Sequence, residues 1–170
     1  MDKKTTRHPT LPRFGEPVPG EGGHLCGIMR GHIVGDAREP DYALISAPVP
    51  AIILPWGEYG KDVPGATSLT DGLRNTAAML AANCPPAQHI AKLVVDGHND
   101  YYLGARAEFW AARANVPELF DKAFHWTSTQ LSRDYAFVQD FEFGISLWVT
   151  KDNGYRVRAF RRIPLYHFDA

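Results

Sequence analysis

The sequence has no excess of charge of either sign. Its 18 Lys and Arg residues are balanced by 19 Asp and Glu residues, which gives a formal net charge of −1. Proteins that bind nucleic acids or anionic membrane surfaces carry clustered basic charge, which this balance does not provide. We therefore expect no nucleic-acid partner.

Long apolar runs are missing as well. No segment approaches the roughly 20 consecutive apolar residues that a membrane-spanning helix requires. The charged segment 1–7 is not followed by the apolar stretch of a signal peptide. We expect synthesis in a bacterial cytoplasm and no membrane insertion.

Cysteine is scarce, since Cys26 and Cys84 are the only two in the sequence. Disulfides are rare in proteins made in a cytoplasm, so we predict two buried thiols. A single disulfide between them is the alternative.

Catalytic signatures are also missing. The sequence contains no Gly-x-Ser-x-Gly elbow, no phosphate-binding Gly-x-x-x-x-Gly-Lys loop and no His-Glu-x-x-His zinc motif. We expect no enzymatic activity and no cofactor.

What is present is enough for one buried core, because 45% of the 170 residues are hydrophobic. Residues 1–21 differ from the rest, since they are rich in Pro, Gly, Lys and Thr and poor in apolar side chains. Such a composition predicts an extended arm without a core of its own. We expect this arm to lie against its own domain or against a neighbouring subunit.

Residues 22–163 alternate between strand and helix patterns, which predicts an α+β fold. Ser68 or Thr70 is expected to cap a helix that runs to about Ala82, and Pro86 to open a short one. A further helix is predicted over 106–114. Strands are predicted at residues 24–29, 41–46, 52–54, 124–129, 135–141, 145–150 and 155–162.

Two of these elements carry a pattern that predicts which side is buried. Helical spacing from Leu73 through Ala77 and Leu80 to Ala81 predicts an apolar face directed at the core. The last strand interleaves its Arg side chains with Val157 and Phe160, which predicts one solvated face. The Arg residues in question are Arg156, Arg158 and Arg161.

Several short segments of this chain occur in a recognisable order. They are the Gly-Gly pair 22–23, Pro-Gly-Ala-Thr-Ser at 64–68, Asp-Gly-His-Asn-Asp-Tyr-Tyr-Leu at 96–103, His-Trp-Thr-Ser-Thr-Gln at 125–130 and Arg-Val-Arg-Ala-Phe-Arg-Arg at 156–162. In this order they resemble the C-type-lectin-like domains that are common in tailed bacteriophages and prophages. One departure is Leu103-Gly104-Ala105, where that family usually has Leu-Pro-Ser or Leu-Pro-Thr.

The resemblance implies a C-type-lectin-like fold, in which two helices pack on one twisted antiparallel sheet. The sheet would begin with an N-terminal strand and end with the Arg-rich strand. Trp126 is expected to be buried, with its indole N–H bound to a loop carbonyl. The resemblance also implies a place in a virion, at the tail tip, fibre or baseplate, and a homo-oligomeric state.

The function we expect is recognition of a host surface ligand, either protein or glycan. Aromatic and Arg side chains dominate binding sites because they bury a large area at little entropic cost. The turns and strands of the C-terminal third supply such residues. The predicted ligand-binding set is Arg133, Asp134, Glu142, Phe143 and Trp148.

The alternative is a structural virion protein that touches no host molecule. It would bind other tail proteins through the arm and through the C-terminal tail 164–170, which either folds back on its own sheet or docks on a neighbour. The residues predicted for this assembly role are Pro12, Phe14, Pro17, Tyr166 and Phe168.

A metal site or an enzymatic function has weaker support in the sequence. Glu39-Pro40-Asp41 and Asn99-Asp100 mimic sugar-binding calcium motifs, but they are far apart in sequence. Asp96, His98 and Asp100 suit a hydrogen-bonded turn better than a metal site. A glycosidase pair drawn from Glu58, Glu108 and Glu142, or an oxidase using the two cysteines, is a minority reading.

Overall fold

A computed structural model describes residues 9–168, and within that range it contains three α-helices. They are α1 (Gly72–Ala81), α2 (Pro85–Ile90) and α3 (Arg106–Asn115). The two longer helices and the short one opened by Pro85 and Pro86 confirm the predicted order. Between residues 9 and 168 no helix is long and apolar enough to cross a membrane.

The strands are short, and most pairs are antiparallel. In chain order they are β1 (Pro17–Val18), β2 (Gly23–Met29), β3 (Ile33–Val34), β4 (Ala37–Arg38), β5 (Tyr42–Ser46), β6 (Ile52–Pro55), β7 (Tyr102–Leu103), β8 (Phe124–Gln130), β9 (Tyr135–Asp140), β10 (Ser146–Thr150), β11 (Gly154–Val157) and β12 (Ala159–Pro164). The α+β class is therefore confirmed.

Ten of these strands form two five-stranded sheets rather than the single sheet expected, and β3 and β4 form a separate hairpin. The first has the order β1-β2-β5-β12-β7, and the second has the order β10-β9-β8-β11-β6. The predicted strand 155–162 is divided between them, because β11 joins the second sheet and β12 joins the first. Arg158 lies at the break and donates hydrogen bonds to the carbonyls of Leu119 at 2.9 Å and Ala47 at 3.2 Å.

The arm and the C-terminal tail pack on their own domain. β1 pairs with β2, and Val18 enters a small core that also contains Leu25, Ile45 and Phe168. Phe168 was predicted to contact other virion proteins, but its side chain is buried because the tail folds back on the first sheet. Residues 1–8 of the predicted arm and residues 169–170 of the tail lie outside the described range.

The other predicted assembly residues are more accessible. Pro17 is exposed although it pairs with His24, and Pro12 is partly buried. Phe14 is 49% exposed and Tyr166 is 73% exposed. Both aromatic side chains are therefore available to a neighbouring molecule.

Helix α1 buries the opposite face from the one its apolar spacing predicted. Its buried residues are Gly72, Asn75, Thr76 and Met79, whereas Leu73, Ala77, Leu80 and Ala81 are exposed. Polar partners decide the orientation, because Asn75 binds the backbone of Ser68 and Thr76 binds the Leu103 carbonyl. The N-cap is Asp71, whose side chain accepts from the Arg74 N–H.

The Arg-rich strand also differs from its prediction, since it has no simple solvated face. Arg161 is 9% exposed and binds Glu21 at 2.7 Å and Asp100 at 2.5 Å. Arg162 lies over the rings of Tyr42 and Tyr102. These guanidinium groups face inward because the interior offers carboxylates and aromatic rings to receive them.

A buried carboxylate joins helices and strands from both halves of the chain. Glu108 is fully buried, and its Oε1 accepts from the backbone N–H of Gly72 at 2.9 Å and of Ala105 at 3.0 Å. Its Oε2 accepts from the hydroxyls of Tyr42 and Tyr102. Every lone-pair site of the carboxylate has a donor, so the group can stay buried without an orphaned atom.

The predicted burial of Trp126 is confirmed. Its side chain has no exposed area, and its indole N–H donates to the carbonyl of Leu54 at 2.9 Å. Leu54 lies in β6 rather than in a loop, so this hydrogen bond fixes β8 against an edge strand of the same sheet.

Candidate ligand-binding surface

Four large apolar side chains are exposed beside the edge strand β10. Phe143 is 74% exposed, Ile145 55%, Trp148 54% and Trp110 48%. Trp110, Phe143 and Trp148 form, together with Arg106, what we call the aromatic surface, and Ile145 lines a separate concavity beside Phe143. Its members come from helix α3, from the turn between β9 and β10, and from β10 itself.

The centre of the aromatic surface is a stack built around Arg106. The guanidinium carbon of Arg106 lies 4.8 Å from the ring centroid of Trp110 and 4.2 Å from that of Phe137. Trp148 meets Phe137 edge to face, with centroids 6.1 Å apart. The Arg106 Nε donates to Ser146 Oγ at 2.9 Å, which holds the helix against β10. The side chains are therefore positioned before any ligand arrives.

The turn between β9 and β10 is shaped to project Phe143. The Asp140 carboxylate accepts from the backbone N–H of Glu142 at 3.0 Å and of Phe143 at 2.9 Å. Gly144 follows with a φ of 79°, a conformation that glycine adopts without steric cost. The turn is thus fixed by its backbone, while the Phe143 ring is left in solvent.

An open concavity of about 450 Å³ separates Phe143 from Trp110. Arg113 and Gln139 also line it, and two of their polar atoms, Arg113 Nε and Gln139 Oε1, are buried without a hydrogen-bond partner among residues 9–168.

The outer edge of β10 offers free backbone groups. The Asp140 N–H donates to the Ile145 carbonyl at 2.8 Å, and Leu147 lies opposite Val138 in the same ladder. Hydrogen-bonded pairs alternate along an antiparallel ladder, so the N–H and C=O of Ser146 and Trp148 point away from β9. No strand among residues 9–168 pairs with that edge.

Several charged side chains of this region have no ion-pair partner within the described residues. In the part of the chain that the structure describes, Arg106 and Arg113 form no ion pair with a carboxylate. They lie seven positions apart on α3, two turns along one side of the helix. Glu142 is exposed near the turn and also forms no ion pair within the described residues.

The structure brings together only part of the predicted ligand-binding set. Glu142 and Phe143 lie at one end of the β9–β10 hairpin, and Trp148 lies in its middle. Arg133 and Asp134 lie at the opposite end, where they form a 3.7 Å ion pair with each other. A six-residue strand separates the two ends by roughly 17 Å.

Arg106 and Trp110 were not predicted from the sequence as members of this surface. The spacing of Arg106 and Trp110 at i and i+4 on a predicted helix was the available signal, because such pairs share one helix face. Nothing in the local sequence indicated that this face lies beside β10 and the turn before it. That adjacency depends on the packing of α3 against β9.

A cluster of metal-donor side chains lies elsewhere in the molecule. Ligand atoms of His32, Glu39 and Asp71 lie within 4.8 Å of one another, although their sequence spacing gave no sign of it. Arg74 donates to both carboxylates, and its hydrogen bond holds the pKa of Glu39 below the ordinary value. Guanidinium groups thus already occupy the charge-compensating positions of this cluster.

The structure also gives the positions of the side chains considered for the alternative enzymatic and metal-binding functions. Cys26 and Cys84 are both free and buried, and burial raises the pKa of the Cys26 thiol to about 11. A thiol with that pKa is protonated at neutral pH. Glu108 is buried and fully hydrogen-bonded, as described above. The turn 96–98 places His98 on Gly20 and Asp100 on Arg161 rather than on one metal position.

Comparison with models of known protein families, and with curated protein sequences, found no match to this chain.

Proposed function

We propose that this protein is a binding module that presents the aromatic surface to a macromolecular ligand, as a component of a tailed-phage virion that contacts the host cell. The observation that carries the binding role is the joint exposure of Trp110 and Trp148, which flank the stack of Arg106 and Phe137, and of Phe143 across a concavity from Trp110. Exposing this much apolar area to water costs free energy unless a partner covers it.

The arrangement also has the preorganisation that favours binding. The Arg106 stack and the Asp140 turn hold the contact residues in place, so little side-chain entropy is lost when a ligand docks. Trp and Arg are the residue types that most often dominate binding energy. Such a surface favours binding to a partner, although its exposed apolar area lowers solubility.

The virion context and the C-type-lectin-like fold are proposed from the ordered motifs of residues 22–163. The α+β class and the exposed turn are compatible with that proposal. A lectin-like scaffold supports many functions, so the exposed surface, rather than the fold, supports the specific role.

The test is binding of the purified, labelled protein to a panel of bacterial strains, with and without a chelator. Trp110→Ala, Phe143→Ala and Trp148→Ala should each weaken strain-specific binding by about tenfold or more. Tyr166→Ala is the matched control, because Tyr166 is 73% exposed and Phe143 is 74% exposed. We expect that control to bind like the wild type, and chelation to have no effect.

Two results would count against this proposal. One is strain-specific binding that survives all three surface substitutions in folded protein. The other is an absence of binding to any strain that the intact phage adsorbs to.

The second candidate is structural attachment to a tail without host contact. It is favoured by the exposure of Phe14 and Tyr166 near the arm and the C-terminal tail. Under this candidate, Phe14→Ala and Tyr166→Ala reduce incorporation into particles, while Phe143→Ala leaves both incorporation and host adsorption unchanged. Quantifying the protein in purified particles separates the two.

A further inference from the structure

We propose that the free edge of β10 receives an extended, acidic peptide segment of the partner as an added strand. This inference rests on the proposed function, because it names the chemical class of ligand that the aromatic surface binds. It specifies a protein ligand, pairing through its backbone, with carboxylate side chains on the side that faces α3.

The backbone of β10 carries the first step. Ser146 and Trp148 direct their N–H and C=O groups outward, and no described strand meets them. An open edge with unpaired groups pairs readily with another extended chain. Peptide ligands use such edges by adding a strand, and the backbone hydrogen bonds supply affinity while alternate side chains supply selectivity.

The side chains beside that edge determine the chemistry of the added strand. Ser146, Trp148 and Thr150 share the α3 side of β10, because side chains alternate along a strand. The Arg106 guanidinium lies on this side, bound to Ser146 Oγ. Neighbouring strands are about 5 Å apart, so a Glu side chain opposite Ser146 reaches Arg106.

Charge makes an acidic partner the favoured occupant. Arg106 lacks a carboxylate partner within residues 9–168, and Arg113 lacks one near the same turn. A carboxylate brought to a guanidinium between aromatic rings forms a charge-assisted hydrogen bond where water is partly excluded. Trp148 and Trp110 would flank the acidic side chains with apolar area.

A second copy of this chain fits the edge less well. β10 has the sequence Ser-Leu-Trp-Val-Thr and contains no acidic residue. Antiparallel pairing of two β10 strands would therefore bring no carboxylate from β10 to Arg106. We treat self-pairing as a competing outcome of the test.

The experiment compares two substitutions at one residue. Trp148→Ala removes the indole, and Trp148→Pro removes the indole and also the outward N–H. Proline is tolerated on an edge strand where its missing N–H faces away from the sheet, so both variants should fold. Thermal unfolding of each is the check on folding, and any further loss in Trp148→Pro reports the backbone bond.

The probes are short synthetic peptides in which Val alternates with Glu, with Lys or with Thr. We expect the Glu peptide to bind at least about tenfold more tightly than the Lys peptide, and to shift the amide NMR signals of Ser146 and Trp148. Trp148→Pro should weaken binding by a further several-fold relative to Trp148→Ala. Arg106→Gln should abolish the preference for Glu over Thr.

The inference is overturned if the Glu peptide shows no preference over the Lys peptide, or if it leaves the Ser146 and Trp148 amides unshifted. Self-association that Trp148→Pro abolishes, without peptide binding, would assign the edge to a second copy. Failure of this inference is distinguishable from failure of the proposed function. Cell binding that depends on Trp110 and Phe143, resists protease treatment of the cells and is lost on periodate oxidation would keep the function and replace the peptide by a glycan.

Discussion

The polar network around Glu108 and the aromatic surface beside β10 differ in burial and in whether their groups have partners. At Glu108, both carboxylate oxygens are buried and each accepts two hydrogen bonds. At the aromatic surface, Phe143 and Trp148 are exposed, and no strand among residues 9–168 pairs with the outer edge of β10 beside them. Within residues 9–168, the Glu108 carboxylate has a donor at every lone-pair site, whereas the aromatic surface has exposed rings and an unpaired strand edge.

The difference separates stability from function. A satisfied buried network fixes the relative positions of α1, α3, β5 and β7, and it offers nothing to an external molecule. An exposed apolar surface contributes little to folding, because its area stays in contact with water in both the folded and the unfolded state. A protein retains such a surface at a cost in solubility, which is why we place the binding role there.

Replacing Glu108 should produce the largest loss of stability. Glu108→Leu leaves two backbone N–H groups and two tyrosine hydroxyls without their acceptor and removes a 3.8 Å ion pair with Arg162, and we expect a loss of about 4 kcal/mol. Glu108→Gln keeps the shape and one acceptor oxygen, so its loss should be smaller, about 2 kcal/mol. Urea denaturation measures both. Equal, small losses would mean that the network is not a stabilising centre.

His125 combines features of the two regions, because it is buried and its Nε2 has no hydrogen-bond partner among residues 9–168. Burial lowers the pKa of His125 from 6.5 to about 4. Above pH 6.5 the ring is neutral in both the folded and the unfolded state, so protonation of His125 does not lower the free energy of unfolding. As the pH falls from 6.5 towards 4, only the unfolded state takes up the proton, and we expect a loss approaching about 3 kcal/mol.

The matched variant for this pH prediction is His125→Phe. It keeps a ring among Phe109, Phe120 and Phe141 but has no proton to take up. Its free energy of unfolding should fall less steeply than that of the wild type between pH 6.5 and pH 4. Parallel curves for the two proteins would show that His125 does not control stability in this range.

The smallest effect on stability is expected at the aromatic surface. Phe143→Ala should change the free energy of unfolding by no more than about 0.5 kcal/mol, since the ring is 74% exposed. Trp148→Ala should cost somewhat more, about 1 kcal/mol, because it loses the edge-to-face contact with Phe137. Chemical denaturation measures these values. A loss at Phe143 as large as that at Glu108 would remove the contrast between the two regions.

The buried side of α1 shows where sequence patterns stop being informative. Leu73 and Leu80 follow helical spacing, yet they are exposed, and Asn75 and Thr76 are buried in their place. The polar pair faces inward because the backbone of Ser68 and Leu103 supplies hydrogen-bond partners. A hydrophobicity pattern cannot anticipate partners that lie many residues away.

The candidate site was predictable in part. Phe143 and Trp148 were recognisable as aromatic residues beside a turn, and the alternation of β10 was visible in the sequence. Their grouping with Arg106 and Trp110 was not, since it requires α3 to pack beside the β9–β10 hairpin. Arg133 and Asp134 belong to the same predicted set, but they lie at the other end of the hairpin from Phe143.

The sequence by itself determined the α+β class and the order of the helices and of the longer strands. These depend on periodicity, turn residues and composition, which are local properties of the chain. Only the tertiary structure decided that the strands divide into two sheets, that the Arg-rich strand breaks at Arg158, and that α3 meets the free edge of β10. These depend on which distant groups satisfy a buried charge or hydrogen bond, and such partners exist only once the chain has folded.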